Sequence, residues 1–290
     1  MSGSITLENR FGVNKMELIS LKYAIFVIVL LVLYYCFPKK YRWYVLLAGS
    51  MAYYVIICKW YVLFIIFTIC TTYGSTIWID KLLKKQNAIV KSHKEDWDRQ
   101  TRKEYKEKGR KKRVAVMLFA LLCNFGILAF LKYIPYAGEL GLLLPLGISF
   151  YTFQSMGYVM DVYREIVEPE KNFLKVALFV SFFPQIIQGP IAIYDKLAGQ
   201  LYEGHSLRLE NLQKGALLVL WGVMKKLVIA DRAVNIINFV MDKPMDFSGT
   251  YVFFAAVVYA LQLYADFSGG IDIVRGIAEM FGITMSTNFN

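Results

Sequence analysis

Residues 19–37 read ISLKYAIFVIVLLVLYYCF, a run in which Lys22, near its start, is the single charge. A helix needs about 20 mostly apolar residues to cross the hydrocarbon core of a bilayer, and this run meets that length. It follows a mostly polar stretch, Met1–Glu17, and ends in Phe37-Pro38-Lys39-Lys40 without a small-residue cleavage site. It therefore reads as a retained anchor and not as a cleavable signal. Four further runs resemble it. Tyr44–Cys58 and Trp60–Ile79 are separated by Lys59, which with Trp60 suits an interfacial turn. Val114–Leu131 is uncharged, and Tyr251–Tyr264 is apolar and extends back to Phe247. These runs predict an all-α, polytopic integral membrane protein of the cell membrane, with one membrane domain over residues 1–290.

Composition points the same way. The 290 residues are 57% hydrophobic and 19% charged, where a soluble domain carries about 25% charged residues. The net charge is +11. Apolar runs divide the basic residues among short loops, so no single basic face is offered to nucleic acid, and Lys and Arg read as membrane-flanking. Cys36, Cys58, Cys70 and Cys123 lie within or at the ends of apolar runs, with no metal-ligand spacing and no disulfide framework. No metal or cofactor is expected.

Residues 80–113 set the sidedness. Fourteen Lys and Arg fall between Lys81 and Arg113, against Glu95, Asp96, Asp98, Glu104 and Glu107. The positive-inside rule places this basic loop in the cytoplasm. Counting back two spans brings Lys39, Lys40 and Arg42 to the same side and leaves the N-terminus outside. The interspersed acids favour a solvated, partly helical loop over an arm that binds anionic lipid or nucleic acid.

From Pro135 onward the apolar segments are interrupted. Leu142-Leu143-Leu144-Pro145-Leu146-Gly147 opens a segment running to Val162, and Pro145 marks a helix start or a break. Asn172–Ile193 is apolar through Phe183 and then reads Pro184-Gln185-Ile186-Ile187-Gln188-Gly189-Pro190. Such backbone is tolerated in lipid only where protein or a water-filled cavity surrounds it, which predicts a broken or re-entrant helix. Gly215–Met224 ends at Lys225-Lys226 before Leu227–Ala230 resumes. Either the lysines snorkel to the surface or they face a polar interior. Leu261–Gly270 ends a hydrophobic helix with Asp266 and a glycine pair. Ile271–Phe281 then reads as a short amphipathic helix, with Asp272 and Arg275 on its polar side.

Four of these elements resemble signatures of the membrane-bound O-acyltransferase (MBOAT) family. They are Leu144–Gln154 with Asp161–Arg164, Phe179–Pro190 (FVSFFPQIIQGP), Met224–Asp231, and Asp266-Phe267-Ser268-Gly269 followed by Phe281-Gly282 and Asn288-Phe289-Asn290. They occur in the family's order, and with the preceding spans the resemblance covers roughly residues 20–290. It is nearest to alginate O-acetyltransferase-like proteins and more distant for the D-alanyl transferase of teichoic acid synthesis. The resemblance implies a helical enzyme with a tunnel across the bilayer. An activated acyl group, such as the acetyl of acetyl-CoA, comes from the cytoplasmic side. The acceptor is a hydroxyl of an extracytoplasmic glycan or wall polymer, and an extracytoplasmic acetyltransferase is a further partner. The family's basic histidine follows the NFN element in a "W..WH.SL" segment. The sequence stops at Asn290, so the expectation is a chain without that histidine and with no catalytic residue of its own.

The histidines present do not match that motif. His93 lies between Lys91 and Lys94 in the basic loop, and His205 follows Tyr202-Glu203-Gly204. The resemblance makes Gln154, Gln188, Asp266, Ser268, Asn288 and Asn290 substrate-tunnel candidates. By residue chemistry alone, Asp266 or Ser268 caps the following helix and the glutamines satisfy broken backbone. Lys225 and Lys226 are candidates for binding an anionic donor, with interfacial anchoring as the alternative. A transporter is the rival class, since broken helices with polar residues at depth also mark transporter sites. Against it, the Pro145 and Pro184 regions are not echoed in the first half of the sequence.

Overall fold

The computed structural model describes residues 18–93, 95–133 and 144–287. Asn288 and Asn290 lie outside the described residues, as does the stretch from Pro135 to Leu143. The described helices are α1 (Leu21–Cys36), α2 (Arg42–Cys58), α3 (Val62–Ser92), α4 (Arg99–Tyr133), α5 (Ile148–Tyr163) and α6 (Phe173–Ser181), then α7 (Phe183–Gln188), α8 (Tyr194–Tyr202), α9 (Leu209–Met224), α10 (Asp231–Met241) and α11 (Gly249–Met280). No strand occurs among the described residues. Three stretches, Lys39–Ser92, Arg99–Tyr133 and Gly249–Met280, are long and apolar enough to cross a membrane, and Leu21–Cys36 and Phe173–Gln188 are shorter apolar helices.

Local chemistry places the breaks. Lys59 adopts a left-handed conformation, φ 48°, between α2 and α3, which ends the helix at the predicted turn. Gly147, at φ 70°, is the N-cap of α5, and Ile148 N–H donates to the Pro145 carbonyl at 3.3 Å. Pro145 thus precedes a helix start.

The helices fall into two compact units. One joins Leu47–Phe183 and Ile191–Gly199. Within it α3 packs on α4, α5 and α6. Polar pins replace the hydrophobic driving force that helices lack in lipid. Asn124 donates to Thr71 Oγ1 at 2.9 Å, and Gln154 Nε2 donates to the Phe179 carbonyl at 2.8 Å. Phe183 N–H, freed by the α6–α7 break, donates to Ser50 Oγ at 3.1 Å.

The stretch expected as a partly helical loop over residues 80–113 is a helical hairpin that is non-helical only between Ser92 and Arg99. At 1.5 Å per residue the 31 residues of α3 and the 35 of α4 are about 46 and 52 Å long. Each overshoots a hydrocarbon core of about 30 Å. Buried Gln86 fastens the hairpin by donating to the Lys106 carbonyl at 3.1 Å. A Cβ on Gly109 would come within 2.4 Å of Gln86 Oε1. At the tip His93 stacks on Trp97, with 4.8 Å between centroids. Asp98 accepts the Thr101 N–H at 2.9 Å, and hydrogen bonds from Thr101 hold its carboxyl below the usual range.

The other unit joins Met16–Leu46, Pro184–Pro190 and Gln200–Asn290. Here two expectations are corrected. Asp266 and the glycine pair do not end a helix: α11 runs unbroken through them, and Ile271–Met280 is its last part, with Phe281 as the C-cap. Nor does Lys225-Lys226 interrupt the preceding helix, which continues through a π-helical turn, Lys225–Ala230, into α10. Close packing explains the first correction. Gly215 faces the Gly276 carbonyl and Gly222 faces the Gly269 carbonyl, and a Cβ on either would come within 2.5 or 2.4 Å of that oxygen. Small residues let the α9 and α11 backbones touch, and that contact offsets the roughly 1 kcal/mol a helical glycine costs.

This contact gives a direct test. Gly276→Val is expected to lower the unfolding midpoint in detergent by the equivalent of about 2 kcal/mol or more. Gly74→Ala, where a Cβ meets nothing within 4 Å, is expected to be neutral or stabilising by up to about 1 kcal/mol. Equal effects of the two substitutions contradict the close packing.

Candidate functional site

The tight α9–α11 pair carries charges on its facing sides. Lys225 Nζ lies 2.7 Å from Asp272 Oδ2, and Arg275, one turn further along α11, lies 3.5 Å from Asp272 Oδ1. Lys226 pairs with Asp266. Lys214 reaches Glu279 at 3.0 Å, whose other oxygen accepts the Thr284 hydroxyl at 3.1 Å. The backbone dictates this pattern. In an ordinary α-helix, adjacent lysines diverge by about 100°, but here both begin the wider π turn and both reach carboxylates of α11. π turns of this kind occur frequently at functional sites.

Depth raises the stakes. Asp272 and Asp266 lie eight and fourteen residues before the Met280 end of α11, about 12 and 21 Å along the axis. A charge within an apolar span is expensive unless paired, and an ionisable group in such a helix is a functional candidate. Lys225 and Asp272 are mostly buried, with side chains 17% and 12% exposed. Lys225 also stands 5.7 Å from the Trp221 ring centroid. The five groups Lys225, Lys226, Arg275, Asp266 and Asp272 together leave one positive charge uncompensated. Asp272 and Arg275, read from sequence as the polar side of a surface helix, are interior members of this cluster.

Other predicted residues gather at the same place. Gln188 packs on Gly270, where a Cβ would come within 2.2 Å of Gln188 Oε1. Ser268 is buried, and its hydroxyl has no partner among the described residues. Asp266 and Ser268 sit inside α11 and so do not cap a following helix. Gln154 belongs to the other unit, on the Phe179 carbonyl. Within the proline-flanked stretch, Gln185 Nε2 donates to the Pro190 carbonyl at 2.8 Å and Gly189 N–H donates to the Gln185 carbonyl at 3.0 Å. Among the described residues, no group of three or more His, Cys, Asp or Glu could hold a metal ion.

Sequence reasoning missed a second arrangement at the Met280 end of α11. The Arg42 guanidinium lies 5.5 and 5.3 Å from the Tyr34 and Tyr35 ring centroids. It donates to the carbonyls of Phe37 at 2.9 Å and Tyr35 at 3.2 Å, and to that of His205. Tyr35 OH donates to the Met280 carbonyl at 2.7 Å. His205 Nε2 stands 2.7 Å from the Gln200 carbonyl, and its side chain packs on Gly282, at φ 81°. His205 is thus built into a helix end. Arginine beside two aromatics is the signal that could have found this node.

The fold and site together define a polytopic helical membrane protein with paired charges on a long apolar helix. Comparison adds particular relatives. No family model matches the chain. Over 60% of its length it is 32% identical to the peptidoglycan O-acetyltransferase of Helicobacter pylori, spanning 40% of that protein. Over 51% of its length it is 36% identical to the probable alginate O-acetylase AlgI of Pseudomonas syringae pv. tomato, spanning 28% of it. The teichoic acid D-alanyltransferase of Bacillus subtilis is 25% identical over 50% of the chain. The chain spans well under half the length of these curated relatives. Two of the three are named O-acetyl-transferring proteins, which agrees with the motif resemblance.

The ion cluster predicts an order of effects. Asp272→Asn strands both Lys225 and Arg275, and is expected to cost about 3–5 kcal/mol of stability in nanodiscs. Lys225→Met leaves Asp272 with Arg275 and is expected to cost clearly less. A reversed order, read from the two unfolding midpoints, would refute the shared carboxylate.

Proposed function

We propose that this protein acts in O-acyl transfer of the MBOAT type. It moves an acyl group, acetyl first among the candidates, from a cytoplasmic thioester to a hydroxyl of an extracytoplasmic polysaccharide or wall polymer. The observation that carries this reading is the identity to polymer O-acetylases over half or more of the chain. The charge cluster between α9 and α11 is its structural counterpart. D-Alanyl transfer is the second reading, supported by the weaker match to the teichoic acid enzyme.

Acyl transfer forms an ester bond and breaks a thioester bond. A base takes the hydroxyl proton and the departing thiolate ends protonated, so no metal or redox group is needed. His93 and His205 are poor candidates for that base. The first is stacked on Trp97 beside the Ile89 carbonyl, and the second is bound into the Gln200–Gly282 corner. In this proposal the chain's own residues bind and position. The surplus positive charge around Lys225, Lys226 and Arg275 suits the phosphates or pantetheine arm of a donor, and Gln188 and Ser268 offer hydrogen bonds beside it. The basic hairpin faces the cytoplasm in this reading, with the N-terminus outside.

The test supplies labelled acetyl-CoA to one face of proteoliposomes that hold the gene's whole product and a polysaccharide acceptor on the other. Labelled O-acetyl ester on the polymer is expected. Lys226→Gln is expected to lower transfer at low donor by about tenfold, with the effect in KM more than in kcat. Transfer from a D-alanyl carrier protein alone would favour the second reading. Flux of free solute without ester formation would replace both with a transporter.

A further inference from the structure

We infer that the α3–α4 hairpin carries a binding collar for anionic phospholipid head groups at its membrane boundary. Sequence alone reads residues 80–113 as one solvated loop with mixed charge. The structure divides that stretch into two zones. Five of its six acids, Glu95, Asp96, Asp98, Glu104 and Glu107, lie from the hairpin tip to the level of Gln86, and the sixth, Asp80, lies at the end nearest the spans. The part nearest the spans holds Lys81, Lys84 and Lys85 on α3 and Arg110, Lys111 and Lys112 on α4, all exposed. Residues 81–93 and 108–113 contain no Asp or Glu. Asp80 neutralises only Lys84, at 2.6 Å.

The two helices hold these cations in register. Gln86 is bonded to the Lys106 carbonyl and pressed on Gly109, so the turn that carries Lys81–Lys85 lies beside the turn that carries Arg110–Arg113. Lys81, Lys84 and Lys85 share a face at helical spacing. Arg113 adds a second observation. It is only 9% exposed, a guanidinium nitrogen lies 3.4 Å from Glu165, and its Nε–H has no partner among the described residues. A buried spare donor at the height of six exposed cations fits a phosphate. Trp78, 57% exposed and one turn before Lys81, sits where aromatic belts meet head groups. Cations at this height attract the anionic leaflet, each contributing roughly fivefold to binding. In residues 94–107 five Lys and Arg balance the five acids, so the net positive charge of the hairpin sits at its membrane-proximal end, which argues for a lipid surface over an acidic protein met at the tip.

The experiment uses the whole protein in nanodiscs of phosphatidylcholine and of phosphatidylcholine mixed with phosphatidylglycerol, with retained lipids counted by native mass spectrometry. Preferential retention of phosphatidylglycerol is expected. The variant K84Q/K85Q/K111Q/K112Q is expected to lower that retention by about tenfold or more, with an unchanged unfolding midpoint in pure phosphatidylcholine. Equal retention of the two lipids, or full retention by the variant, overturns the proposal. So does complete displacement of phosphatidylglycerol by inorganic phosphate, which would indicate a free-anion site. If the variant does not fold, the salt titration of the parent decides: retention that persists through high salt refutes a collar of exposed charges.

Discussion

In a membrane, a polar group must find its partner within the protein or not be there at all, and this constraint governs the second unit. Lys225, Lys226, Asp266, Asp272 and Arg275 are tolerable together because each faces an opposite charge. They can meet only because Gly215, Gly222, Gly269 and Gly276 bring α9 and α11 to backbone contact. Either feature alone would be unstable. Glycines without paired charges would weaken two helices for nothing but contact area, and charges on bulkier helices could not be sealed from lipid. The π turn at Lys225–Ala230 joins the two features, since both of its first two lysines reach carboxylates of α11, six residues apart.

The same rule operates in the first unit with neutral groups. Asn124 on Thr71, Gln154 on the Phe179 carbonyl and Ser50 on the Phe183 N–H are side-chain answers to backbone or hydroxyl groups that lipid cannot satisfy. The α6–α7 break is therefore a supported feature. Its freed donor has a partner more than a hundred residues away in sequence, and Gln185 closes the far side onto Pro190. Breaks of this kind are tolerated at membrane depth where a protein needs non-helical backbone there.

Much of this was legible from residues alone, and the boundary between legible and hidden is physical. Apolar length, Lys59 with Trp60, Pro145 before Gly147 and the Pro184 region each act within a few residues, so they read directly as spans, a turn, a start and a break. The candidate residues Lys225, Lys226, Asp266 and Gln188 were visible because polar groups stand out in apolar runs. Their partners were hidden. Lys225 and Asp272 are 47 residues apart, and Lys226 and Asp266 are 40. Gly269-Gly270 read as a helix end for a related reason. Local propensity counts the cost of glycine, and only tertiary contact shows the compensating approach of α9. The meeting of Arg42 with His205 was hidden because the two lie 163 residues apart.

The arrangement also constrains how a donor could be recognised. A phosphate approaching Lys225 must compete with Asp272, 2.7 Å away, which Arg275 also faces. Displacing that carboxylate would leave a buried anion partly supported by Arg275, so the exchange replaces one pair with another and does not strand a charge. Lys226 is the easier point of entry, since its partner Asp266 has a side chain 41% exposed and can turn to solvent or to a polar chamber. Recognition that begins at Lys226 and leaves the Asp272 pairs intact keeps the helix contact sealed. If Lys226 binds a donor as proposed, the pair with the more exposed carboxylate is the one free to exchange, while the buried Lys225–Asp272–Arg275 set holds α11 in place.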